Sequence, residues 1–399
     1  MQSLVLYDDQ RARAFEPFAL TRPAGELRAG VDLLRRRWER AAHGPATGFV
    51  GAPHLLTFAE FDAPPAFVGE IPAGTVLANS RFAPCLDAAL GTAAAWTCGG
   101  RVAAVRLDAS LPVARLRDGA LTLESIASTP RAEMNGWWID EVWDLIRFLP
   151  EMLEADIGIV GPGDGDAPPA QMTVLGAHEA FISRGAYVEP FVLADTTAGP
   201  ILVRRGARIC AFTRLVGPCV IGEDSLVAGG KVAASSIGEH ARVHGELSTS
   251  IVLGHSNKAH DGFVGHSVIG RWANLGAGTI TSNLKNSYGD VALWTPAGTR
   301  RTGMQFLGSF IGDHAKTGIG TRLTTGCVIG AGANVFGNAM PPKFVPPFSW
   351  GDASPFATFE LDKFLEVAAR VMRRRDVALA EADRQLLAAA WSRRNEAAP

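Results

Sequence analysis

The segment GHSNKAHDG at 254–262 gathers His255, Lys258, His260 and Asp261 close together. An imidazole titrates near neutrality, so His260 is suited to take a proton from a nucleophile. His255 and His260 also have the H-x4-H spacing of two zinc ligands. A second set of candidate groups lies near the start: Arg11, Arg13, Arg22 and Arg28 in LYDDQRARAFEPFALTRPAGELRAG. Guanidinium groups pair bidentately with phosphate oxygens, so these four suit a phosphate-bearing ligand.

What must position the 254–262 cluster is an internal repeat. Steps of six give Val203, Ile209, Leu215, Ile221 and Val227; then Ile251, Asn257, Phe263, Ile269 and Leu275; then Ile311, Thr317, Leu323, Ile329 and Val335. Thirteen of these fifteen positions are apolar, and the residue four further on is Ala, Ser, Thr or Cys in twelve. Such a pattern predicts a three-sided prism in which each hexapeptide supplies one short strand and one corner, and about eighteen residues complete a coil. In this register Asn257 fills an inward slot, and His255 and Asp261 fill small ones. The repeat therefore fails where the polar cluster stands, as expected of a functional position. Residues 281–303 drop the pattern, which resumes at Ile311; this stretch is expected to leave the prism as an arm.

Around the repeats the chain divides into four segments. Residues 1–160 open with an apolar strand at Leu4 to Tyr7, continue through a helix-like Arg-rich stretch from Glu26 to Arg40, and alternate further strands and helices, which predicts an α/β domain. GPGDGDAPPAQ at 161–171 reads as a linker. Residues 172–345 hold the repeats, closed by PPKFVPPFSWG, because Pro supplies no ladder N–H. Residues 356–399 carry Leu361, Phe364, Leu365, Ala368, Val371 and Met372 at helical spacing and are expected to form one amphipathic helix. Its Arg373–Arg375 run has the chemistry to bind a phosphate, but a solvated helix face is the preferred reading.

The 399 residues carry 38 basic and 40 acidic side chains, a formal charge of −2, so there is no net positive field to hold nucleic acid or an anionic membrane. Five scattered cysteines without a C-x-x-C pair fit reduced thiols, and no window approaches a membrane span; a cytoplasmic protein is expected.

SNKAHDGFVGHSVIGRWANLGAGTITSNLKNSYGD at 256–290 resembles the acetyltransferase domain of the GlmU family of bifunctional sugar nucleotidyltransferase/N-acetyltransferases. FALTRPAGELRAG, SNKAHDGF, SNLKNSYG and PPKFVPPFSWG look like a variant bacterial branch with an atypical N-terminal half. The resemblance implies a nucleotidyltransferase-like α/β domain, a left-handed parallel β-helix and a C-terminal α-helix. It further implies a homotrimer acting on a sugar phosphate, a nucleoside triphosphate and acetyl-CoA, with Mg²⁺ serving the N-terminal domain. His260 matches the family's catalytic base, and Asn274 and Asn283 match substrate-binding asparagines. Asn257, Lys258, Asp261, Phe263 and Lys285 complete the expected acceptor and acyl-CoA site, with Phe263 standing where the family has tyrosine. Lys258 or Lys285 is expected to replace a family lysine that GELSTS lacks. The glycine corner GAGT is expected to offer N–H groups to an oxyanion. In the N-terminal half the family's glycine-rich phosphate loop is missing. Arg11, Arg22 and Arg28, with Asn79 and Arg81 of VLANSRFAP, would hold nucleotide and phosphate, and Asn135 would help hold Mg²⁺.

Three other readings stand beside this one. A sugar-1-phosphate nucleotidyltransferase could use the prism only for assembly. A γ-carbonic-anhydrase-like metal enzyme would use His255 and His260, although Ile237 and Cys219 occupy the positions expected one and two coils earlier. A repeat scaffold without catalysis is opposed by the polar cluster.

Overall fold

The computed structural model describes residues 3–352 and 355–396. Residues 397–399 of the expected C-terminal helix lie outside them. The chain forms two compact units, the first of residues 1–142 with 380–390, the second of residues 143–379 and 391 onward.

The first unit is built on a six-stranded mixed sheet of β1 (Leu4–Tyr7), β2 (Gly48–Val50), β3 (Val76–Asn79), β4 (Ala95–Cys98), β5 (Arg101–Arg106) and β6 (Arg131–Glu133), in the order β6-β4-β5-β3-β1-β2. β1 runs parallel to both β2 and β3. Every residue of β1 and β3 is buried, as a strand covered on both faces demands. Helix α1 (Leu34–Ala42) buries Leu34, Trp38 and Ala41, and the Trp38 indole N–H donates to the Asn79 carbonyl at 3.1 Å. The helix expected from Glu26 starts only at Leu34. Gly30, at φ +65°, turns Arg28–Ala29 back onto Asp32–Leu33 as a two-stranded hairpin, so the charged stretch before α1 is strand and turn.

In the second unit, helix α2 (Leu149–Asp164) runs through the first four residues of the expected linker. Packing outweighs the helix-breaking composition there: Gly161 lies so close to Phe181 that an added Cβ would sit 2.3 Å from its ring. From Thr173 the chain winds into a parallel β-solenoid, one face of which is a nine-stranded ladder from Ala180–Ile182 to Phe344–Val345. Its core is a column of side chains that includes Val203, Ile221, Ile237, Val252, Ile269, Ile311, Ile329 and Val345.

The first and third runs of the sequence register lie on this column, as do Ile269 and Leu275 of the second, whose first three members are displaced. Ile237 pairs with Val252 and Val252 with Ile269, while Lys258 pairs with Val243 and Val264 with Leu247. The inward residues are thus Val252, Lys258 and Val264, not Ile251, Asn257 and Phe263. The spacing is not uniformly six: Val227 to Val232, Val232 to Ile237 and Val264 to Ile269 are steps of five. Because alternate residues of a strand face opposite sides, a slip of one exchanges inside and outside.

The expected arm leaves after Thr281 and forms the hairpin Ala292–Thr295/Gly298–Arg301 before Phe310–Ile311 rejoins the ladder directly on Val268–Ile269. PPKFVPPFSWG does not end the solenoid but supplies strands of its last coil, Phe344–Val345 and Ser349–Gly351. Each coil donates N–H to carbonyls of the next, as Phe310 does to Cys327 and Gly330 to Val345. A last coil has no successor to donate to, which makes proline tolerable there. After it in sequence come two helices instead of one, α3 (Leu361–Arg373) and α4 (Glu381–Ser392), most of the latter belonging to the first unit. Asp376, at φ +58°, breaks them apart, and the Val377 N–H turns back to the Met372 carbonyl at 3.2 Å.

Truncating a column residue should destabilise far more than truncating an outward neighbour. Leu247→Ala is expected to lower stability by about 2–5 kcal/mol. Ile280→Ala, at a side chain 46% exposed, should stay within about 0.5 kcal/mol. Denaturant unfolding followed by far-UV circular dichroism reads both.

Candidate active site

His260 is exposed at the rim of a cavity of about 650 Å³ between the solenoid and the end of α3. Asn257, Asn274 and Lys316 are stacked by the ladder on one outward face. The Asn257 side-chain amide donates to the Asn274 side-chain oxygen at 3.2 Å, and Arg375 donates to the Asn257 side-chain oxygen. Lys316 donates to the His314 carbonyl at 3.0 Å, and burial pushes its ammonium down to about 8. Burial also lowers Arg375 from the usual guanidinium range, helped by the charges of Arg242 and Arg374. The structure therefore unites His260, Asn257 and Asn274 and adds Lys316, Arg242, Arg374 and Arg375. No repeat argument marks Lys316, because it sits on the outward side of an ordinary coil. The run Arg373–Arg375 was legible, but two of its members line a cavity instead of a solvated face.

Lys258 and Asp261 do not line this cavity. Lys258 is 2% exposed and points along the inside of the prism, where its ammonium donates to the carbonyls of His244, at 3.0 Å, and of His260. Burial brings it down to about 8, against the opposing pull of Asp261. Asp261 is exposed, with its carboxylate 3.3 Å from His244 Nδ1. The next residue, Gly262, turns the corner at φ +127°, where a Cβ would meet the Thr279 carbonyl oxygen at 2.2 Å.

Beyond that corner Phe263, Asn283 and Lys285 line a separate cavity of about 810 Å³ with Arg322 and Lys343. Asn283 Nδ2 lies 2.8 Å from His266 Nδ1, and burial pushes His266 down to about 4, so a neutral ring accepts the amide proton. Lys285 donates to the Asp290 carbonyl. The expected single site is thus divided between two cavities on different ladders, because residues six apart in sequence fall on adjacent sides of the prism. In GAGT, the N–H groups of Gly276, Gly278 and Thr279 already donate to Thr317, Asp261 and Gly276 carbonyls, which removes three of the expected oxyanion donors.

The His255 ring is committed to a corner stack, 4.6 Å from both His240 and Trp272, with Arg271 Nη1 3.3 Å from its Nδ1. The short coil places His240, not Ile237, beside it. Among the described residues no group of three or more His, Cys, Asp or Glu is placed to hold a metal ion.

In the first unit a cavity of about 540 Å³ opens where β1 and β3 end, the position at which parallel strands present ligand-binding groups. Asn79 Nδ2 donates to Asp9 at 2.9 Å, and Arg81 bridges Asp9 at 2.8 Å and Asp140 at 2.6 Å. Arg11 and Arg101 also pair with Asp140, at 3.2 and 2.9 Å. Against the effect of burial, Arg101, Arg81 and Arg11 hold the Asp140 carboxyl below its ordinary range. Arg101 lies over the Trp138 ring, 3.9 Å from its centroid. Beneath the site Asp8 is buried and pushed up to about 6 by that burial, opposed by the Ser80 hydroxyl and the Ala24 N–H.

Four expected residues are elsewhere. The Arg13 guanidinium donates to the carbonyls of Asp8 at 2.9 Å, Arg117 at 2.6 Å and Leu116 at 3.0 Å. Arg22 is buried in an ion pair with Glu60 at 2.8 Å, and Arg28 is buried with its guanidinium donating to the Val31 carbonyl at 2.6 Å. Both serve the interior. Asn135 is exposed outside the cavity lining, its carbonyl accepting the Cys85 N–H at 2.9 Å. With Asp9 and Asp140 both engaged by arginines, the residues present do not fit a resident Mg²⁺. Asp9 was readable as a polar residue just past β1; Arg101, Trp138 and Asp140 reach the cavity only through sheet and loop packing.

Residues 4–162 match the family model described as sugar nucleotidyl transferase. A bifunctional sugar-1-phosphate nucleotidylyltransferase/acetyltransferase of Sulfurisphaera tokodaii is 35% identical over 24% of this chain and 24% of its own length. The bifunctional protein GlmU of Methanococcus vannielii is 34% identical over 25% and 23%, and that of Jannaschia sp. 29% over 43% and 34%. The chain thus spans about a quarter to a third of the length of these relatives. A solved structure of Arabidopsis UDP-N-acetylglucosamine acyltransferase aligns over 52% of this chain and 78% of that one at 11% identity, with a TM-score of 0.32. No helix among the described residues is long and apolar enough to cross a membrane.

The inward position of Lys258 has a consequence for pH. A lysine whose folded pKa is depressed to about 8 from 10.5 binds its proton less tightly folded than unfolded. Its desolvation therefore opposes folding below pH 8, and this opposition fades as pH rises toward 10.5. In Lys258→Met the rise of stability across that window should be shallower than in the wild type, measured by urea unfolding at successive pH values. Identical slopes would place the ammonium in water.

Proposed function

We propose that the protein is a bifunctional transferase of sugar-nucleotide synthesis. Its solenoid N-acetylates an amino-sugar 1-phosphate, such as glucosamine 1-phosphate, from acetyl-CoA, and its first unit carries out nucleotidyl transfer to give UDP-N-acetylglucosamine or a close relative. The observation that carries the first half is the meeting of exposed His260 with the hydrogen-bonded Asn257–Asn274 pair at one cavity. His260 takes a proton from the acceptor amine as its nitrogen attacks the thioester carbonyl. The C–N bond forms, the C–S bond breaks, and coenzyme A leaves as a thiolate that then picks up a proton. The two carboxamides, with their fixed donors and acceptors, orient the sugar hydroxyls.

For the second half, Arg11, Arg81 and Arg101 would exchange Asp140 for the phosphates of a nucleoside triphosphate. The Trp138 face adds an apolar wall. We also infer a homotrimer, because the residues that the resemblance assigns to one acyl-transfer site lie in two cavities of a single prism, which a neighbouring copy would bring together.

General-base assistance contributes on the order of a hundred- to ten-thousandfold. His260→Ala should therefore lose roughly that factor in kcat for free thiol release from acetyl-CoA with glucosamine 1-phosphate, with the fold and light-scattering mass unchanged. Wild-type protein without acetyl transfer but with uridylyl or thymidylyl transfer would restrict the solenoid to assembly. Arg81→Ala should abolish nucleotidyl transfer while leaving acetyl transfer near the wild-type rate.

A further inference from the structure

Two of the charged cavities differ in one respect. In the first unit Arg11, Arg81 and Arg101 are neutralised by Asp9 and Asp140. Beside His260, Arg242, Lys316, Arg374 and Arg375 converge without a single carboxylate in the cavity lining. Lys316 contacts a backbone carbonyl and Arg375 a carboxamide oxygen, both uncharged. Among the described residues neither Arg242 nor Arg374 forms an ion pair. Converging cations repel one another, and burial together with the charges of Arg242 and Arg374 lowers the Arg375 guanidinium from its usual range. A chain that folds with such a cluster retains it for an anion that arrives later.

We infer that Arg242, Lys316, Arg374 and Arg375 form a phosphomonoester subsite beside His260, closed on one side by the end of α3. The inference rests on the acyl-transfer reading only for the identity of the phosphate. A phosphomonoester carries close to two negative charges near neutrality and three acceptor oxygens, which suits two guanidiniums presenting planar donor forks and an ammonium acting as a point charge. Neither Lys258 nor Lys285 can fill this role in this arrangement: Lys258 points into the prism and Lys285 lines the other cavity. The helix brings Arg374 and Arg375 to the solenoid through Phe364, Ala368 and Met372, which are buried at successive turns. Two molecules of the proposed reaction carry a phosphomonoester, the amino-sugar 1-phosphate and the 3′-phosphate of coenzyme A.

The test uses the full chain and the exposed pair of cations in the double variant Arg242→Gln/Arg374→Gln, with thermal unfolding as a check on the fold. Inorganic phosphate binding, measured by calorimetry, should weaken at least about tenfold, the loss expected when charged hydrogen bonds are removed. This arm needs no turnover, so it stands even where acetyl transfer is absent. In the kinetic arm, KM is compared for glucosamine 1-phosphate against glucosamine and for acetyl-CoA against its 3′-dephospho form. Loss of the first preference assigns the subsite to the sugar phosphate, and loss of the second to coenzyme A. Phosphate affinity unchanged within twofold overturns the inference, as do both preferences surviving in the double variant.

Discussion

The stacking of each coil on the next constrains everything else in the solenoid. Backbone N–H groups of one coil donate to carbonyls of its successor, so a residue facing inward must lie over another that faces inward. The aliphatic column from Val203 to Val345 satisfies this requirement with coils of unequal length, because five-residue steps are absorbed at corners. The same ladder aligns outward positions. Asn257, Asn274 and Lys316 come from three coils far apart in sequence, yet they share a face because their backbones are paired. The candidate site is thus a by-product of register, with α3 laid over it as a fourth contributor.

Lys258 shows how strictly the constraint acts. It occupies a column position that neighbouring coils fill with Val243 and Leu275, and its ammonium is met by two carbonyls from the same corner region, those of His244 and His260. Burial without such partners would be severely unfavourable. The polar substitution is therefore tied to the corner that carries His260, and the mobility of that corner is restrained from inside the prism. A side chain buried in this way shapes the site without touching a ligand.

Charge compensation separates the two cavities. In the first unit the carboxylates of Asp9 and Asp140 keep three arginines in place before any ligand arrives, and a ligand must compete with them. Beside His260 no carboxylate lines the cavity, and Lys316 and Arg375 have neutral partners, so an anion gains the attraction of these cations. Buried arginines such as Arg35, paired with Glu26 at 2.5 Å, belong to neither arrangement and brace the interior.

The sequence by itself determined the solenoid, its arm and the polar break at 254–262, because periodic burial writes itself into the order of residues. The runs Val203–Val227 and Ile311–Val335 were legible in full. The run through Ile251, Asn257 and Phe263 was not: five-residue steps are invisible to a fixed period of six, and one missed residue exchanged Asn257 and Lys258 between outside and inside. Arg22 and Arg28 looked like phosphate ligands because a guanidinium reads alike in a core and in a cavity. Composition points to a linker where Gly161 packs on Phe181, and to an end of the repeats where prolines complete the last coil. Which of the polar residues meet was decided only by tertiary structure: Asn257 with Asn274 and Arg375, and Asn79 with Asp9, Arg81 and Asp140. Those pairs depend on which backbones lie side by side, and strand pairing between distant segments is a property of the folded chain.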